Sequence, residues 1–128
     1  MYHDAAADPD AAVVDIAVLE AVDAARRRND TSVAGVAEQL GIDRSGVSRL
    51  ITRATDRGLL DKTAAEDDQR RVQLAITAAG HTLLRDARAW QAATFQTLVA
   101  DWELEDANRF ATYLIRLADE VVQAKECP

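Results

Sequence analysis

The chain has 128 residues, 48% of them hydrophobic and only 5% aromatic, and carries a formal net charge of −7. That is enough apolar material for one sizeable core in a single domain, and with few aromatics, five Gly and two Pro it points to a mainly helical fold with at most a small sheet. No apolar run approaches the ~20 residues that cross a bilayer, and Met1 to Pro9 lacks the basic and apolar regions of a signal peptide, so a cytoplasmic protein with no membrane partner is expected.

Asp8-Pro9 reads as the start of a first helix, because Asp caps free amides and Pro fits the first turn. The helix is predicted to run to about Arg28, burying Val13, Ile16, Ala17, Ala21 and Ala24, which recur at three- and four-residue steps. Arg26-Arg27-Arg28 falls in its last turn, where cations complement the helix dipole, and Asn29-Asp30 ends it. A phosphate contact is the sharper reading of the triplet. Thr31 or Ser32 caps a short second helix with Val33, Val36, Ala37 and Leu40 on one stripe and Gly41 as terminator. After the turn at Ile42, Asp43 caps a third helix from Arg44 to Arg57, buried through Val47, Leu50, Ile51 and Ala54 and closed by Gly58. A short helix ending in Gly, a tight turn and a capped second helix form the helix-turn-helix pattern.

Leu59 to Thr63 and the alternating Val72 to Ile76 then read as two strands joined by a polar loop, a β-wing. Thr77 caps a long helix from Ala78 to about Ala100, with Leu83, Leu84, Ala87, Trp90, Ala93 or Thr94, and Leu98 on its apolar side. Asp101-Trp102-Glu103 breaks it. A last helix from about Leu104 to Ala124 repeats apolar residues at Ala107, Phe110, Ala111, Leu114, Leu117, Ala118 and Val121, near heptad spacing. The expected fold class is mainly α with a small two-stranded β-wing. It is one domain over 1–128, with a winged helix-turn-helix over 10–80 and dimerisation helices over 81–128.

The negative total charge hides an uneven distribution. Residues 44–73 hold seven Lys/Arg against five Asp/Glu, and within 44–58 there are four Arg against one Asp. An acidic body around a basic surface limits indiscriminate attraction to phosphates. Opposite the buried stripe of the third helix lie Arg44, Ser45, Ser48, Arg49, Thr52 and Arg53, all carrying donors that suit the major groove of double-stranded DNA. A merely solvated face usually mixes Glu and Lys, and this one has neither. In the wing, Asp68 is expected to orient Arg70, which with Arg71 forms a tip suited to a minor groove. Taken alone, such a tip is more often just a soluble turn.

Val36-Ala37-Glu38-Gln39-Leu40-Gly41, Ser45-Gly46-Val47-Ser48-Arg49-Leu50, Arg57-Gly58-Leu59-Leu60, and Asp68-Gln69-Arg70 leading to Thr77-Ala78-Ala79-Gly80 resemble the MarR family of winged helix-turn-helix transcriptional regulators. The resemblance implies a homodimer that represses or activates transcription and is often released from DNA by a small lipophilic effector or by oxidation. It also implies that Ser45, Ser48, Arg49 and Arg53 face the major groove, and Arg70, set by Asp68, the minor groove. Family members usually begin with a longer N-terminal dimer helix, so dimerisation is expected to rest on the helices from Ala78 and Leu104. Trp90, Phe95, Trp102, Phe110 and Tyr113 could line an effector pocket, though aromatics at helical spacing are more often core or interface.

Two other function classes stand beside this reading. An enzyme is disfavoured, because His3 and His81 lack motif partners and no metal-ligand spacing occurs; no cofactor or metal is expected. A winged helix used only for protein contacts would call for an apolar or acidic face on the third helix. The lone Cys127 reads as a terminal thiol, with an intermolecular redox pair as the lesser alternative.

Overall fold

A computed structural model describes residues 9–64 and 72–126. In chain order these form α1 (Pro9–Arg27), α2 (Val33–Leu40), α3 (Arg44–Asp56), β1 (Leu60–Ala64), β2 (Val72–Ile76), α4 (Ala78–Leu98) and α5 (Leu104–Glu126). This is the mainly α winged helix-turn-helix expected from the sequence. Packing divides the chain into two compact units, one up to Arg85 and one from Asp86, with the boundary inside α4. The proposed cap Asp8, the wing tip and Cys127 lie outside the described residues.

The first unit is built around Val18, Leu19, Val22, Val36, Val47, Ile51, Leu60 and Leu84, all fully or almost fully buried. The buried stripe of α1 differs from the expected one. Val13 is 65% exposed and Ala17 is exposed, while Asp15, Val18, Leu19, Val22 and Ala25 turn inward with Ala21. The stretch from Val13 to Leu19 is apolar on nearly every side, so periodicity does not fix its phase; the bulkier Leu and Val set removes more apolar surface from water. Asn29 closes α1 in the left-handed region at φ 59°, with the Asp30 amide donating to the Ala25 carbonyl and the Asn29 amide to that of Arg26.

Ser32 caps α2 by accepting from the Gly35 amide, and Gly41 at φ 72° ends it. Asp43 caps α3 through the Gly46 amide at 3.1 Å. A Cβ at Gly46 would lie 2.7 Å from that carboxylate oxygen, so the glycine makes room for the cap. Gly58 at φ 75° ends the following turn, and the Leu59 amide donates back to the Ala54 carbonyl.

The wing strands pair antiparallel in the register Leu60↔Ile76 to Ala64↔Val72, and only Leu60 and Leu74 are buried. The Leu74 amide donates to the Thr31 carbonyl, fastening β2 to the entrance of α2. Thr77 then locks wing, α3 exit and α4 together. Its hydroxyl donates to the Gly58 carbonyl at 2.6 Å and accepts from the Gly80 amide, while its own amide donates to the Leu59 carbonyl.

The second unit is less buried. Among the described residues Ala87 and Ala107 are its buried positions, whereas Trp90, Leu98, Leu104, Tyr113, Leu114, Ile115 and Leu117 are between 44% and 75% exposed. The expected apolar sides of α4 and α5 are therefore present as faces, but much of each is open in the single chain. No helix among the described residues is long and apolar enough to cross a membrane.

Candidate nucleic-acid interface

The candidate interface is the outer face of α3. Val47, Ile51 and Ala54 anchor the helix inward, with Leu50 half-buried, and the cap at Asp43 fixes where its first turn begins. Arg44, Ser45, Ser48, Arg49 and Thr52 are consequently exposed on the opposite side. Arg44 and Arg49 form no ion pair within 4 Å among the described residues, so both guanidiniums are available to an anion. The Ser48 hydroxyl is exposed, and the Thr52 hydroxyl donates to the Ser48 carbonyl at 2.9 Å.

Ser45 is engaged at the helix entrance. Its hydroxyl donates to Asp43 at 2.9 Å, and this bond, together with the Gly46 amide, holds the Asp43 carboxyl below its ordinary value. Asp43 thus stays ionised at the positive end of α3, where a carboxylate stabilises the free amides. The Ser45 oxygen keeps its lone pairs as acceptors.

Arg53 is placed differently from its neighbours. Its Nε stands 3.7 Å from Oδ1 of Asp15 on α1, and Arg57 donates to Oδ2 of the same carboxylate at 2.8 Å. Asp15 was missed in the sequence. Once the structure fixes the phase of α1, its place follows: an acid three and four residues before the buried Val18 and Leu19 shares their face and requires cationic partners. The Arg triplet at the end of α1 also has local partners, since Asp23 pairs with Arg26 at 3.1 Å and Arg27 at 4.0 Å. The expected wing residues Asp68, Arg70 and Arg71 lie outside the described residues.

The sequence profile of the MarR family matches residues 12–71, which contain most of α1, the helix-turn-helix and the first wing strand. The PcaV transcriptional regulator from Streptomyces coelicolor, solved with its natural ligand, is 30% identical, the match covering 82% of this chain and 72% of that one with a TM-score of 0.58. The chain belongs to the MarR family. Its fold is the family's transcription-regulator fold, shared with MepR of S. aureus in complex with DNA (18% identity, 84% and 79% covered, TM-score 0.63). YusO from Bacillus subtilis is similar to the same degree (20% identity, 83% and 73% covered, TM-score 0.64). No curated protein matches in a sequence search.

Of the aromatic residues weighed for an effector pocket, three pack on one another in the second unit. Phe95 stacks on Phe110 at 6.0 Å between ring centroids, and Trp102 meets Phe110 edge-on at 5.5 Å. Tyr113 instead lines an open groove of about 460 Å³ along α5, with Leu104, Glu105, Asn108, Arg109 and Thr112.

Proposed function

We propose that this MarR-family chain is a sequence-specific regulator of transcription, acting in the cytoplasm as a homodimeric repressor on a pseudo-palindromic operator and releasing it in response to a small-molecule effector. The observation that carries the reading is the outer face of α3, where Arg44, Ser45, Ser48 and Arg49 are exposed and the two arginines form no ion pair within 4 Å among the described residues. Arginine at such a site pairs in bidentate fashion with guanine, and Ser reaches bases or phosphates. Thr52 extends the face, Arg53 stands at its edge with its guanidinium held by Asp15, and Asp68, Arg70 and Arg71 act at the wing tip.

Dimerisation through 81–128 is supported by the exposed apolar residues of α5, Leu114, Leu117 and Val121 among them, which follow helical spacing. A twofold dimer would set its two α3 helices one turn of DNA apart, roughly 34 to 36 Å. The DNA complex of MepR supports duplex DNA as the partner, and the natural ligand bound by PcaV supports an effector.

The test is fluorescence anisotropy with a labelled duplex from the region upstream of the coding sequence, titrated against unrelated DNA from low to physiological salt. Tighter binding to the upstream duplex with a steep salt dependence is expected. Equally weak binding to every duplex at low salt overturns the reading in favour of a winged helix that contacts protein.

A further inference from the structure

Asp15 is 3% exposed among the apolar residues of α1, and its Oδ1 accepts no hydrogen bond among the described residues. Removing a carboxylate from water is costly unless cations compensate it. Here both compensating cations come from the same place, Arg53 within α3 and Arg57 at its C-terminal cap. Their side chains remain 41% and 35% exposed, so each is held at one end while still open to solvent. The contact to Arg53 is an ion pair at 3.7 Å without hydrogen-bond geometry, a hold through charge alone. Four arginines lie between residues 44 and 58, and Asp15 engages two of them.

We propose that Asp15 is a positioning residue that limits how much positive charge α3 offers to DNA: its buried carboxylate draws Arg53 and Arg57 back toward α1 and leaves Arg44 and Arg49 to meet the duplex. Binding to phosphates is indifferent to sequence and grows with the number of cations that neutralise them, whereas base contacts carry discrimination. Withholding two arginines lowers affinity for all DNA alike, and so raises the share of binding that depends on the bases. The inference rests on the DNA-reading function proposed above.

The experiment compares the parent, D15N, R53Q and D15N/R53Q on an unrelated duplex between 50 and 200 mM salt, with thermal melting of each protein as a folding control. D15N keeps the shape of the side chain and removes its charge. It should bind unrelated DNA more tightly at low salt, and each arginine released per bound protomer should steepen the slope of log affinity against log salt by about 0.9, which shrinks the D15N advantage about 3.5-fold over this salt range. R53Q should leave the parent slope unchanged but remove its share of the gain in the D15N background. A folded D15N with the parent's slope, or a shallower one, overturns the inference. If D15N does not fold, R53Q alone decides: an unchanged slope supports the proposal, and a slope lower by about 0.9 overturns it, because Arg53 then already neutralises a phosphate. A parent that binds no duplex even at 50 mM overturns the DNA-reading function itself and this inference with it.

Discussion

Gly80 to Ala gives the sharpest test of how the wing is joined to α4. At an unconstrained helical site this change stabilises by about 1 kcal/mol. Here a Cβ would overlap the Leu59 carbonyl oxygen and lie 2.7 Å from Cγ2 of Ile76. The carbonyl is backbone and already accepts from the Thr77 amide at 3.1 Å, so it cannot step aside without disturbing the hydrogen bond that ties the wing to α4. Overpacking costs about 1–3 kcal/mol, and weakening that hydrogen bond adds about 1 kcal/mol. Set against the propensity gain, the net loss should be about 1–3 kcal/mol, a fall in Tm of roughly 4–15 °C for a chain of this size. Calorimetry of parent and variant measures it directly. A variant that melts at or above the parent temperature refutes the close approach on which the reasoning depends.

Asp43 predicts a specific pH response. The Ser45 hydroxyl and the Gly46 amide lower its carboxyl in the folded chain, so its contribution is present above the unfolded carboxylate value of about 3.9 and is lost as pH falls through the lower folded value. Asp43→Asn, which still caps the helix, should flatten the acid limb of stability below about pH 5, read from urea midpoints; an unaltered limb would contradict the assignment. Leu117, 57% exposed on α5, lies on the face proposed for dimerisation. Leu117→Glu should shift sedimentation toward the monomer at concentrations where the parent is dimeric and leave the helical signal intact, whereas an unchanged distribution would remove Leu117 from the interface.

Much of the helix-turn-helix was legible because its punctuation is local. Ser32 and Asp43 each accept a free helix amide through the side chain, Gly41 and Gly58 take the left-handed conformation that other residues adopt less readily, and the bounds of α2 and α3 follow from them. The phase of α1 was not legible, since Val13, Val14, Ile16, Ala17, Val18 and Leu19 leave no polar face to orient it, and the burial of Asp15 followed from that lost phase. The engagement of Arg53 was hidden for the same reason: its partner lies 38 positions away on another helix, beyond the reach of periodicity. In α4 and α5 the apolar spacing located the helices but not their burial, because Trp90, Leu98 and Leu117 remain exposed in the single chain.

The central claim is that the exposed face of α3 reads bases, and Arg49→Ala tests it most directly. Arg49 is exposed, has no ion-pair partner within 4 Å among the described residues, and takes no part in the core. The quantity to measure is the ratio of affinities for the upstream duplex and for unrelated DNA, at one fixed salt concentration. The account predicts that this ratio falls about 5- to 150-fold, corresponding to the loss of about 1–3 kcal/mol of base discrimination, with the melting temperature unchanged. A variant that keeps the parent's ratio would show that the face read here as the recognition surface does not discriminate between sequences through Arg49.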